Sequence, residues 1–243
     1  MRDRIATLRR PLPAVLGTAA LAVVSVATAA ALSHSPEPAN NAHGAGLAAL
    51  SLALPEHHDA PQAEAKPDPL LTAPAEKVLN YSFQLQTTFY NCGPAATRMA
   101  LSTSMSPPSQ GDLAGVLGTT VNGTNSADDT TRGLNRVLGR DAYKTHWIPG
   151  EDATGEEAEQ LQRNVVSAIG DGRGVVANIV GGVTDMAGTY HEFGGGHYVA
   201  IIGYRDRGRQ VKVADSSGMF GPGSYWVETY PMASWIGHRG YSA

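Results

Sequence analysis

The sequence has a single cysteine, Cys92, and this scarcity excludes a disulfide within the chain. It also lacks an excess of basic residues, since 18 lysines and arginines stand against 22 aspartates and glutamates, for a net charge of −4. Residues 1–32 are net +3, so the rest of the chain is net −7. This negative charge argues against nucleic acid or an anionic surface as a partner.

Familiar metal and phosphate motifs are also missing. His191, Glu192 and His197 do not have the His-Glu-x-x-His spacing of zinc hydrolases. The polar stretch 122–129 lacks the closing glutamate of a calcium loop. The glycines at 194–196 precede a predicted strand and no Lys or Ser/Thr, so they do not form a phosphate cradle. We therefore expect no metal and no cofactor.

Residues 1–32 have the pattern of an export signal. Four arginines precede an uncharged Ala/Val/Leu run over 14–32, which contains small-residue cleavage sites near 27–31. The run is long enough to span a membrane, so an uncleaved N-terminal anchor is the alternative. No cysteine lies at the cleavage sites, which excludes a lipoprotein anchor. In either case we expect the body of the protein to be secreted or extracytoplasmic.

Two further regions follow. Residues 33–77 are rich in proline and alanine and predict a linker or leader, with a pro-segment as the open alternative. From residue 78 to residue 243 the composition is that of one globular domain. The sequence does not indicate an oligomeric state.

The domain is predicted to have helices first and strands later. Apolar spacing and capping residues predict helices from Cys92, after Ser109, over 130–138 and from Thr154 to Gly170. A short strand or an extended entry is predicted at 78–84, and short strands are predicted at 143–148, 174–180, 197–204, 210–214 and 224–228. This order is typical of an α+β fold with an antiparallel sheet.

Cys92 begins one of these helices. Pro94 suits its first turn, and an apolar stripe follows at helical spacing: Ala95, Ala96, Met99, Ala100 and Leu101. A thiol at the N-terminus of a helix lies at the positive end of the macrodipole, which favours the thiolate. We interpret Cys92 as a nucleophile, the alternative being a small buried core residue.

His197 is the expected base for Cys92, because it opens an apolar strand directly after three glycines. Asp215 follows the next strand, and in an antiparallel hairpin the two positions meet at the same edge of the sheet. Its carboxylate is expected to accept the second N–H of the imidazole and fix the tautomer. Gln86, six residues before Cys92, is the expected oxyanion donor together with the backbone N–H of the cysteine.

These residues resemble the papain-like cysteine peptidases of family 39, the bacteriocin-processing peptidases and their stand-alone relatives. The likeness covers about 78–230 and rests on three segments: Gln86-x5-Cys92-Gly93-Pro94-Ala95, Gly196 to Tyr204, and Val211-x-Val213-x-Asp215. It implies a papain-like α+β fold, with N-terminal helices packed on a C-terminal antiparallel sheet and the four site residues in the roles given above. Asn91 stands where the family usually has an acidic residue, and we assign it with Gly195 and Gly196 to substrate binding.

The sequence thus predicts an exported cysteine peptidase acting on a peptide or protein substrate. Two alternatives remain open at this point. The same four residues would support acyl or amide transfer, including cleavage of cell-wall amides, and the cleft of a non-catalytic peptide-binding domain would have the same outline.

Overall fold

The computed structural model describes residues 67–221 and 223–243. The predictions for the export signal and for most of the linker therefore lie outside the described residues. Within the described part, no helix combines the length and the apolar character needed to cross a membrane.

The centre of the domain is a seven-stranded antiparallel sheet. Its strands are β1 (Lys77–Val78), β2 (Thr145–Ile148), β3 (Val175–Thr184), β4 (Tyr190–Arg205), β5 (Gln210–Ala214), β6 (Ser224–Glu228) and β7 (Arg239–Ser242). Six strands lie in the order β2-β7-β3-β4-β5-β6, and β1 pairs with β4. The C-terminal strand β7 thus lies between β2 and β3, so residues distant in sequence meet in the middle of the sheet.

Within residues 67–221 and 223–243, six α-helices pack around this sheet. They are α1 (Pro69–Thr72), α2 (Cys92–Leu101), α3 (Gln110–Leu117), α4 (Ala127–Leu138), α5 (Gly155–Gly170) and α6 (Thr229–Trp235). Successive side chains of a strand point to opposite faces. Accordingly Val176 and Tyr198 pack with α2, α3 and α4, whereas Val175 and Val199 join the main core with α5 and α6. The α+β prediction is confirmed.

Several predicted element boundaries agree with the structure. Helix α5 has the predicted capping box: Thr154 Oγ1 accepts from the N–H of Glu157, and the Glu157 carboxylate accepts from the N–H of Thr154 at 2.7 Å. Ser109 caps α3 as predicted. Strands β5 and β6 have the predicted limits.

Other boundaries were predicted wrongly. Helix α4 begins at Ala127 rather than 130, and β4 begins at Tyr190 rather than 197. The added part of β4 pairs with the end of β3 beyond a bulge between Ile179 and Gly181. This ribbon contains several glycines and lacks apolar alternation, so its sequence carries no strand pattern. Helices α1 and α6 and strand β7 were not predicted.

The packed body of the chain begins ahead of the predicted boundary at residue 78. Helix α1 lies in the stretch predicted as a linker, yet Leu70 and Ala73 pack against the main core. The backbone N–H of Arg207 also donates to the carbonyl of Ala75 at 2.8 Å.

Replacing Thr154 with alanine is expected to destabilise the domain by about 1 kcal/mol, because an N-cap hydroxyl at the start of α5 is lost. Urea unfolding followed by circular dichroism measures the change. Thr154→Ser, which keeps the hydroxyl, is the matched control and should unfold near the wild-type midpoint. Equal stability of the alanine and serine variants would show that the capping box contributes nothing.

Candidate active site

Cys92 is the first residue of α2 and is largely buried. Gly93 lets the start of this helix approach the next loop, since a Cβ at that position would overlap the side chain of Thr124. Burial by itself would raise the pKa of the Cys92 thiol. Hydrogen bonding to His197, its charge, and the backbone N–H groups of Tyr198 and Gly93 outweigh burial and lower the pKa below its ordinary 9.0.

His197 and Asp215 meet as the hairpin argument predicts. His197 lies within β4, opposite Ile179 of β3, rather than at the start of its strand. Strands β4 and β5 pair with Ala200 opposite Ala214, which brings Asp215, the residue after β5, diagonally beside His197. Nε2 of His197 lies 2.8 Å from Oδ1 of Asp215, and both side chains are buried. This leaves Nδ1 of His197 for the Cys92 sulfur. Burial alone would lower the pKa of His197, but the bonds to Asp215 and Cys92 raise it from 6.5 to about 9.

The carboxylate of Asp215 is held by three donors. Besides His197, the backbone N–H of Ser217 donates to Oδ1 at 2.8 Å, and the hydroxyl of Tyr225 donates to Oδ2 at 3.2 Å. Burial would raise the pKa of Asp215, but the bond to His197 and those from Ser217 lower it. Tyr225 is a site residue that the sequence analysis missed. Its position opposite Val213 places it diagonally beside Asp215, but this register is visible only once the hairpin is known.

Gln86 lies beside Cys92 in the wall of the cleft. Its Nε2 group donates to the backbone carbonyls of Thr88 at 2.9 Å and Phe89 at 3.1 Å. Its backbone N–H donates to the carbonyl of Ser216 at 3.0 Å. In this conformation the amide braces the loop ahead of Cys92, so donation to an oxyanion requires it to exchange partners.

The three predicted substrate-binding residues have different positions. Gly195 and Gly196 line the cleft, and Gly196 has a φ of 88°, which a glycine adopts without strain. Asn91 is buried instead. It precedes α2, and its Nδ2 donates to Oγ1 of Thr87 at 2.8 Å. It is not among the residues that line the two cavities beside Cys92.

The cleft has two halves, which meet at Cys92, Gly196 and His197. The first half is a cavity of about 510 Å³ lined by Gln86, Thr87, Thr88, Phe89, Cys92, Phe193, Gly196, His197, Ser217 and Met219. The second half is a cavity of about 220 Å³ on the side of residues 122–125. A larger cavity of about 730 Å³ lies between β3 and α6, but neither Cys92, His197 nor Asp215 lines it. Because the candidate nucleophile, Cys92, lines both halves of the cleft and not the larger cavity, we place the candidate site in the cleft.

A second histidine–aspartate pair lies behind the site. Nε2 of His191 is 2.9 Å from Oδ2 of Asp185, and His191 is fully buried. The ring of His191 stacks on Tyr225 with centroids 3.8 Å apart. Among the described residues no three His, Cys, Asp or Glu side chains cluster as a metal site would require. The pair supports the tyrosine that donates to Asp215.

Comparison with known proteins gives a family match. The model of a family described as "Peptidase_C39 like family" matches residues 78–242. No match to a curated protein was found.

Comparison with solved structures finds similar chains at low sequence identity and low TM-score. A C39-like peptidase from Bacillus anthracis has 15% identity and a TM-score of 0.45, covering 70% of this chain and 97% of that one. The peptidase domain of Streptococcus ComA, a bifunctional ABC transporter, has 16% identity and a TM-score of 0.44, covering 68% and 97%. Xylellain, a cysteine protease from Xylella fastidiosa, has 11% identity and a TM-score of 0.39, covering 73% and 88%. The family assignment rests on the family model.

Alkylation of Cys92 by iodoacetamide is expected to remain fast well below pH 9, because the pKa of the thiol is lowered by His197. The thiolate is present above this lowered pKa and is lost only as the pH falls through it. His197→Ala should move the rate profile toward that of an ordinary thiol. Loss of free thiol followed between about pH 4 and pH 10 measures both curves. Identical profiles for the two proteins would contradict the thiolate–imidazolium pair.

Tyr225→Phe is expected to slow low-pH alkylation of Cys92 about three- to tenfold, because Asp215 loses a donor and orients His197 less firmly. The phenyl ring keeps the stack on His191, so the hydroxyl alone is tested. The full pH profile of alkylation measures the effect, which should fade at high pH, where the thiolate forms without help. A uniform slowing at all pH values would indicate a general structural disturbance instead.

Proposed function

Because the chain belongs to the Peptidase_C39 like family over residues 78–242, we propose that it is an exported cysteine peptidase that hydrolyses peptide bonds. Cys92 is the nucleophile, His197 the base, and Asp215 the residue that orients the base. The N-terminal pattern of a basic segment and an apolar run supports export.

The observation that carries this proposal is the arrangement of three residues: Asp215 binds His197, and His197 lines the cleft together with Cys92. Nε2 of the histidine is committed to Asp215 at 2.8 Å, which leaves Nδ1 as the nitrogen that can accept the proton of the Cys92 thiol. The sulfur also lies at the positive end of α2, next to backbone N–H groups. A cysteine buried only for packing needs none of these contacts.

In the proposed reaction, His197 accepts the proton of the Cys92 thiol, and the thiolate attacks the carbonyl carbon of the substrate. The resulting tetrahedral intermediate collapses as the imidazolium returns its proton to the leaving amine, which breaks the peptide bond. Water, deprotonated by His197, then attacks the thioester and releases the acid and the free enzyme.

The oxyanion of each tetrahedral intermediate needs donors near Cys92. The backbone N–H of Cys92 is one, since the first residue of a helix has no intrahelical acceptor for this group. Gln86 is the second in our proposal. Its Nε2 would leave the carbonyls of Thr88 or Phe89 when substrate enters, and loss of such a donor typically costs about a hundredfold in rate.

Cys92→Ala is expected to abolish cleavage of a mixed peptide library, lowering the rate by at least about a thousandfold, because the covalent step is lost. Mass spectrometry of the digests with the full-length protein measures the products. Cys92→Ser, which keeps a weaker nucleophile in the same position, is the matched variant and should be nearly as inactive.

The same experiment separates the proposed function from its alternatives. Cleavage that persists in Cys92→Ala would rule out the thiol mechanism. A library that is untouched by wild type, while wall-derived peptides are cleaved or amide-exchanged, would favour an amidase or transferase. Binding of peptides without any product, unchanged in Cys92→Ala, would indicate a non-catalytic domain.

A further inference from the structure

The smaller half of the cleft has its own chemistry. It lies on the side of Cys92 formed by residues 122–125, and its volume of about 220 Å³ suits a single side chain or chain end. The wall is mostly polar and includes three asparagine side chains, Asn122, Asn125 and Asn178. This half contains no carboxylate in its lining, and its fixed positive charge belongs to Arg239.

Arg239 is held at this position by the sheet. It is the first residue of β7 and pairs with Ile148 of β2. Its guanidinium reaches across to β4, where Nη2 lies 3.5 Å from the place a Cβ would occupy on Gly196. This distance is an ordinary van der Waals contact, so the guanidinium lies directly beside the strand that carries His197.

The guanidinium is not paired within the described part of the chain. Its Nε is buried and has no hydrogen-bond partner, and no ion pair within 4.0 Å joins Arg239 to a described carboxylate. Burying a charged donor without a partner is unfavourable. Arg239 as a whole is only partly buried, so the rest of its guanidinium faces the cleft, where a bound anion would supply the missing partner.

The nearby carboxylate of Asp129 does not serve as the partner of Arg239. Asp129 and Arg239 both lie near Tyr198, whose pKa is raised mainly by burial and further by Asp129, with an opposing effect of Arg239. However, Oδ1 of Asp129 binds Arg132 at 2.6 Å, and Oδ2 accepts from the N–H of Ser126 at 3.1 Å. Asp129 is therefore committed to capping α4 and to its own arginine.

We propose that the half-cleft around Arg239 is a subsite for a carboxylate of the substrate. The protein then prefers peptides with an acidic group next to the bond that is cleaved, either an acidic side chain or the free C-terminal carboxylate. A guanidinium binds a carboxylate through two parallel hydrogen bonds, and the polar amides nearby complete its shell. The role of this subsite in substrate selection rests on the proposed function, whereas the binding of a carboxylate at Arg239 does not depend on it.

The overall charge of the protein does not produce such a preference. Residues 33–243 are net −7, which repels acidic peptides at long range. A preference for a carboxylate must therefore arise locally, from Arg239 and the imidazolium of His197.

The test uses matched thiol reagents, which need no peptidase activity. Iodoacetate and N-bromoacetylglycine carry a carboxylate at two distances from the reactive carbon, and iodoacetamide and N-bromoacetylglycinamide are their neutral counterparts. The acid-to-amide ratio of alkylation rates at Cys92 is measured for the full-length protein and for Arg239→Gln, Arg239→Lys and Arg209→Gln. Arg209 is an exposed residue at the β4–β5 turn, the opposite end of the hairpin from Asp215, and controls for net charge.

For at least one reagent pair, Arg239→Gln is expected to lower the acid-to-amide ratio by about tenfold or more, the effect of a charge-assisted hydrogen bond. Arg239→Lys should retain part of the preference, and Arg209→Gln should match wild type. The attraction of His197 is common to all four proteins and cancels in the comparison. A ratio that is the same in Arg239→Gln and wild type for both pairs overturns the subsite.

A second measurement needs no variant and identifies the source of the carboxylate. Protection of wild-type Cys92 from iodoacetamide is compared for N-acetyl-Glu-amide against N-acetyl-Gln-amide, and for N-acetyl-Gly-Gly against its C-terminal amide. Stronger protection by the first acid supports an acidic side chain, and by the second a chain terminus. Equal protection by acids and amides in both pairs overturns the subsite.

These results are independent of the peptidase test. If the alkylation ratio depends on Arg239 but no peptide is cleaved, the subsite is supported and the proposed hydrolysis is contradicted. If peptides with Glu and Gln are cleaved at equal rates and the alkylation ratio does not depend on Arg239, the proposed hydrolysis is supported and the subsite is contradicted.

Discussion

The buried hydrogen bond between His197 and Asp215 is the contact on which the site depends. Both residues are almost inaccessible to solvent, so a protonated imidazole and a carboxylate would each be costly there without the other. Their pairing lets the imidazole hold a proton beside the Cys92 sulfur, which in turn favours the thiolate. The antiparallel pairing of β4 with β5 supplies this contact, because Asp215, the residue after β5, then lies diagonally beside His197 within β4.

An aromatic cluster insulates this bond from water. Phe193 stacks on the ring of His197 with centroids 4.1 Å apart, and Phe220 packs edge-on against Phe193. Behind them, the pair of His191 and Asp185 fixes the ring that carries the hydroxyl of Tyr225. In such surroundings the electrostatic effect of one charge on another is stronger than in water, so three donors on one carboxylate are used to keep it ionised.

The positions of the three residues proposed for catalysis were predictable because each depends on local pattern. Cys92 follows from a helix start, and the proximity of His197 and Asp215 follows from consecutive strands that pair as a hairpin, although His197 lies within β4 and not at its start. Arg239 was not predictable in this way. Its strand β7 is four residues long and inserts between β2 and β3, far away in sequence, so its neighbours are set by tertiary pairing. The early start of β4 at Tyr190 was missed for a related reason, since pairing with β3 overrides the weak strand propensity of its glycines.

The two halves of the cleft differ in chemistry, and for the proposed peptide substrate this difference constrains its orientation. Phe89 and Met219 line the larger half and are 82% and 67% exposed, so they offer apolar surface that solvent does not favour. The smaller half offers a guanidinium and amides. A chain that crosses Cys92 in one direction places its apolar and acidic groups against matching walls. In the reverse direction it buries a carboxylate against Phe89 and leaves Arg239 unpaired, so both mismatches disfavour the same wrong orientation.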